Sequence, residues 1–103
     1  MTHAELVTRA ERWLRKTAGC RVVLAECRSR HEPEVPDAIG WNCRGGQIRS
    51  VVVECKATRA DFRADGQKVH RRLEGLGRWR WYMTPPGLVQ ADEVPAGWGL
   101  LEV

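Results

Sequence analysis

At 103 residues and 11.7 kDa, with 43% apolar and 29% charged side chains, the chain has ordinary globular composition and room for one domain, burying by size scaling about 65% of its unfolded surface. No apolar run approaches the ~20 residues of a membrane span, and Met1-Thr2-His3 opens no signal peptide, so the expectation is a cytoplasmic protein with no membrane contact. The net charge is +4 and fourteen of the seventeen cations are Arg, whose planar fork suits phosphate and whose face stacks on bases, a bias toward nucleic acid over a merely solvated surface.

Thr2-His3-Ala4-Glu5 reads as a capping box opening a first helix. Leu6, Ala10, Trp13, Leu14 and Thr17 keep its 3.6 period, with Arg9, Arg12, Arg15 and Lys16 elsewhere, and Gly19 closes it. Val22-Val23-Leu24-Ala25 is a short apolar strand within Arg21–Cys27, followed by a polar loop from Arg28 to Val35. Pro36 to Trp41 is a second short strand. Gly45-Gly46 marks a hairpin turn into a third strand, Ile48 to Lys56, whose Val51-Val52-Val53 run suits a strand buried on both faces. Thr58-Arg59-Ala60-Asp61 opens a second helix to about Lys68 and on toward Leu73. Gly75 and Gly77 mark a turn, Arg78 to Thr84 a fourth strand stopped by Pro85-Pro86, and Trp98 to Val103 a final strand after a turn around Pro95. Trp79 and Trp81 share a strand face and are expected in the core. The order αβββαββ predicts one α/β domain, 1–103, with a mixed central sheet of four to five strands flanked by helices.

Cys20, Cys27, Cys43 and Cys55 form no Cys-x-x-Cys pair. Cys27, His31 and Cys43 are three possible zinc ligands at an unfamiliar spacing, and in a reducing compartment free, largely buried thiols are the default.

The chemistry concentrates at the strand ends. Period-two alternation puts Glu54 and Lys56 on one face and Cys55 on the other, directly after the triple valine, where charges are costly unless paired or bound. If the Gly45-Gly46 hairpin pairs the second and third strands, Asp37 approaches Glu54 across the ladder. Two carboxylates with a Lys behind them make a hard-cation site with an amine at hand; a Glu–Lys ion pair at a strand end is the structural alternative.

Pro36-Asp37, sixteen intervening residues, then Glu54-Cys55-Lys56 on an apolar strand resembles the PD-(D/E)XK nuclease superfamily, whose restriction-endonuclease-like αβββαβ core has the same element order. The segment Glu54 to Asp65 also resembles the small MmcB-like DNA-repair endonucleases of bacteria and phages. The resemblance runs from about Glu5 to Thr84. It implies a metal-dependent DNA endonuclease in which Asp37, Glu54 and the main-chain carbonyl of Cys55 hold Mg²⁺ or Mn²⁺ and Lys56 assists the attacking water. A third carboxylate from the first helix, Glu5 or Glu11, is a family feature, and Glu26 is a further candidate. Arg59, Arg63, Gln67, Lys68, Arg71 and Arg72 are the expected contacts to nucleic acid, with His70, Arg78 and Arg80 near them. A homodimer, or a place in a larger DNA-processing complex, is compatible with so small a domain gripping a duplex. The alternative function is a catalytically silent nucleic-acid-binding module of the same fold.

Overall fold

The computed structural model describes residues 1–26, 36–66 and 79–103. Thr2 caps the first helix, α1 (His3–Lys16), its hydroxyl accepting from the Glu5 amide at 3.1 Å. Leu6, Val7, Ala10 and Leu14 form the buried stripe that the 3.6-residue period requires. The helix stops at Lys16 with Thr17 as C-cap, and the chain turns at Gly19 so that the Cys20 amide donates to the Leu14 carbonyl at 2.9 Å.

Three strands follow, β1 (Val22–Ala25), β2 (Ala38–Arg44) and β3 (Gln47–Cys55), then α2 (Arg59–Gly66), β4 (Trp79–Thr84), a 3-10 turn at Ala91–Glu93 and β5 (Trp98–Glu102). This is the expected α/β order. β2 runs three residues past the expected Trp41 because Gly45 and Gly46, at φ +58° and +79°, close a two-residue hairpin. That turn keeps Asn42, Cys43 and Arg44 paired with Arg49, Ile48 and Gln47. The expected continuation of the second helix beyond Gly66, the Gly75/Gly77 turn and the Arg28–Val35 loop lie outside the described residues.

The sheet order is β1-β2-β3-β4-β5, with the first two pairings antiparallel and the last two parallel. Val51, Val52 and Val53 on the central β3 are all buried, as a strand covered on both faces must be. On one face the α1 stripe packs on Val23, Ala38, Val51, Val53, Cys55 and Met83. On the other, Phe62 of α2 meets Tyr82 and Val89, with Leu88, Val94, Trp98 and Leu100 beside them. Tyr82 stacks on Trp98 with ring centroids 4.5 Å apart, and Phe62 meets Tyr82 edge-on at 5.2 Å, geometries favoured by the ring quadrupoles. β4 and β5 meet at Trp81 and Gly99; the Trp81 ring fills the space a Cβ at residue 99 would need.

Trp81 packs half-buried on Trp13, centroids 5.5 Å apart. Trp79 departs from the expectation of a core residue: it is 47% exposed. The two rings do share a face, but Trp81 packs against the core cluster containing the α1 stripe, while Trp79 stands farther toward the hairpin end.

Candidate active site

The hairpin register sets Ala38 opposite Val53, so Asp37, one residue earlier, faces Glu54 in the continuation of the ladder. The Asp37 main-chain carbonyl accepts from the Glu26 amide at 2.8 Å, and its carboxylate Oδ2 accepts from the Cys55 amide at 2.8 Å. One residue thus ties the end of β1 to the end of β3. Its other oxygen, Oδ1, lies 3.3 Å from Nε2 of His3, which is also 3.8 Å from Oε1 of Glu26. Glu26 adopts φ +50°, a left-handed conformation that an L-residue with a long side chain enters at some cost.

Glu54 and Lys56 share the sheet face opposite Cys55, as the alternation predicts. Cys55 packs with the α1 cluster, whereas Lys56 reaches α2, where its Nζ lies 3.1 Å from Oδ1 of Asp65. The second oxygen of Asp65 accepts a 2.6 Å hydrogen bond from the Tyr82 hydroxyl. Asp65 is 3% exposed and Lys56 15%, so the ammonium is held from behind by a buried carboxylate that is itself hydrogen-bonded. Such pairing is what makes a charge tolerable there.

Asp37, Lys56 and Asp65 line a cleft of about 410 Å³ beyond the C-terminal end of β3, with His3 from α1 and Asp61 from α2 beside them. The Cys55 thiol at its base is pushed well up, by burial first and then by the Asp37 and Glu54 carboxylates. A thiol in that state is protonated and not a nucleophile.

Glu54 is 5% exposed and does not line the cleft itself. Glu5 is exposed on the first turn of α1, with its amide on the Thr2 cap, and Glu11 is half-buried farther along the helix. His3 and Glu26, rather than Glu5, come near Asp37. Arg59 is engaged elsewhere: its guanidinium grips Glu93 at 2.7 and 3.3 Å and donates to the Leu88 carbonyl at 2.7 Å. Arg63 is exposed and adds to the positive field on Glu93. Gln67, Lys68, Arg71 and Arg72, with His70 and Arg78, lie outside the described residues, as do Cys27 and His31 of the zinc alternative.

Asp65 and Tyr82 were not singled out by sequence reasoning. The only signal for Asp65 was its spacing four residues after Asp61, and its burial depends on Tyr82, which belongs to another strand. Asp37, Glu54 and the Cys55 carbonyl are hard oxygen donors, the chemistry preferred by Mg²⁺, which keeps several waters and needs only one or two carboxylates. The donor set fits such an ion; among the described residues no three His, Cys, Asp or Glu side chains cluster as an all-protein cage. No helix among the described residues is long and apolar enough to cross a membrane.

Scans against protein-family models and curated proteins find no match. Among solved structures, the chain is similar to the SPO1766 protein of unknown function from Silicibacter pomeroyi, at 28% identity and a TM-score of 0.70. The match covers 97% of this chain and 63% of that one. The chain therefore spans less than two thirds of that protein's length, and what the likeness supports is a shared α/β fold.

Proposed function

We propose that the protein is a metal-dependent DNA endonuclease acting at the cleft beyond β3. The observation that carries this reading is the Asp37 carboxylate docked at 2.8 Å on the amide between Glu54 and Lys56. Asp37 and Glu54, with the Cys55 carbonyl, would hold Mg²⁺ or Mn²⁺, which when bound polarises a phosphate and acidifies a water ligand. Lys56, a compact charge with three donors, is suited to hold that water and a phosphate oxygen together. Asp65 and Tyr82 are positioning residues that fix the direction of the ammonium. The net charge of +4, almost entirely of Arg, favours a polyanionic substrate.

The contact of Lys56 with Asp65 also favours a second reading, a module that binds nucleic acid without cleaving it. Supercoiled plasmid and single-stranded circles incubated with Mg²⁺ or Mn²⁺ separate the two. Nicked or linear product is expected from the wild type, and none with chelator or from a folded Lys56→Ala variant. Equal cleavage by wild type and Lys56→Ala, or no metal-dependent product at all, overturns the endonuclease reading.

A further inference from the structure

A second concavity, about 320 Å³, opens on the α1 face near the hairpin end of β3 and is lined by Trp13, Trp79, Trp81, Asn42, Arg44 and Arg49. At about 3.3 Å per strand residue, the six steps from Arg49 to Cys55 place it some 20 Å from the cleft. Two buried polar atoms of its lining residues have no hydrogen-bond partner among the described residues: Oδ1 of Asn42, a residue only 8% exposed, and Nε of Arg49. The orientation of the Asn42 amide is fixed, because its Nδ2 donates to the Ala18 carbonyl at 2.8 Å, so the unpartnered atom is an acceptor. Arg49 Nε–H is a donor. Buried polar groups of this kind are rare without a partner, and here one acceptor and one donor belong to residues that line the same hollow.

A ligand suited to this hollow is planar, offers an aromatic face to tryptophan, and has polar edges for the Asn and Arg side chains around it. Those are the properties of a nucleobase, a flat aromatic ring edged with donors and acceptors. Trp79, 47% exposed with the Arg49 guanidinium 5.9 Å from its ring centroid, supplies an aromatic and cationic surface of the sort on which unpaired bases stack. Arg44 stands at the same hollow, and Arg9, Arg12 and Lys16 line an adjoining groove that shares Trp13, so the backbone leading away from a seated base meets positive charge. We infer that this hollow is a subsite for one unpaired nucleobase of a single DNA strand. The inference rests on the nucleic-acid part of the proposed function and not on metal-dependent cleavage.

The test is fluorescence anisotropy in chelator, where cleavage is silent, using a labelled mixed-sequence 15-mer, its duplex and an abasic strand of equal length and charge. The single strand is expected to bind roughly ten- to a hundredfold more tightly than the abasic strand, the range that base–aromatic stacking supplies. Trp79→Ala, at a half-exposed position, should remove most of that advantage while melting like the wild type. Arg49→Lys, which keeps the charge and deletes the planar guanidinium beside Trp79, should reduce it as well. Equal affinity for mixed and abasic strands, or an unchanged advantage in folded Trp79→Ala, overturns the inference. Loss of base dependence with metal-dependent nicking intact removes the subsite alone; base-dependent binding without nicking removes the endonuclease reading alone.

Discussion

Lys56 and Asp65 meet at one wall of the cleft, Nζ 3.1 Å from Oδ1, with Tyr82 donating to the far oxygen of the same carboxylate. The pair joins the end of β3 to α2, and it sets where the ammonium points.

Asp65→Asn keeps an acceptor for Tyr82 but removes the charge that faces Lys56. Removing one partner of a buried pair costs 3–5 kcal/mol in general; Lys56 keeps 15% of its side chain in solvent, so a loss of about 2–4 kcal/mol is expected. Urea unfolding measures it, and a loss below about half a kcal/mol would show that water serves Lys56 as well as Asp65 does.

Hydrogen bonding from Arg59, and after it from the Gln90 amide, holds the Glu93 carboxyl down at about 2, against an ordinary 4.5. A carboxyl depressed on folding contributes stability in full above its unfolded value and loses it as pH falls through the folded one. The Arg59–Glu93 contribution should therefore persist above 4.5 and vanish between 4.5 and about 2. Melting temperatures of wild type and Glu93→Gln should differ near neutrality and converge toward the acid end of that window. A gap that stays constant across it would contradict the assignment.

Burial raises the Cys20 thiol, and burial followed by two neighbouring carboxylates raises Cys55, whereas Cys43 is exposed. Because the thiolate is the reactive form, brief iodoacetamide treatment of the native protein should modify Cys43 and spare Cys20 and Cys55. Peptide mapping by mass spectrometry, repeated in denaturant, reads this directly. Early labelling of Cys55 would mean that the base of the cleft opens.

The elements visible in the sequence are those decided by near neighbours. Thr2 caps α1 across three residues, Gly45-Gly46 closes its hairpin across two, and the triple valine belongs to a strand whatever lies beside it. Asp37 beside Glu54 was legible for the same reason, since the hairpin fixes the register that brings them together. What sequence reasoning missed depends on distant partners. Asp65 is polar on a polar helix until Tyr82 arrives from β4, Arg59 is a free cation until Glu93 reaches it, and Trp79 is a core residue only if a helix covers it. Alternation assigns a residue to a face; it does not say how far the covering layer extends.

Asp37 takes two backbone amide hydrogen bonds, from Glu26 just past β1 on its main-chain carbonyl and from Cys55 at the end of β3 on its carboxylate. The Cys55 bond lies within the β2–β3 hairpin itself, whereas the Glu26 bond needs the chain of β1 alongside, so Asp37 is held on both sides only when three strands have closed together. The cleft also takes His3 from α1 and Asp61 and Asp65 from α2, so a partly assembled chain, even one with its valine core in place, carries the acidic and basic residues without the arrangement that would make them act together.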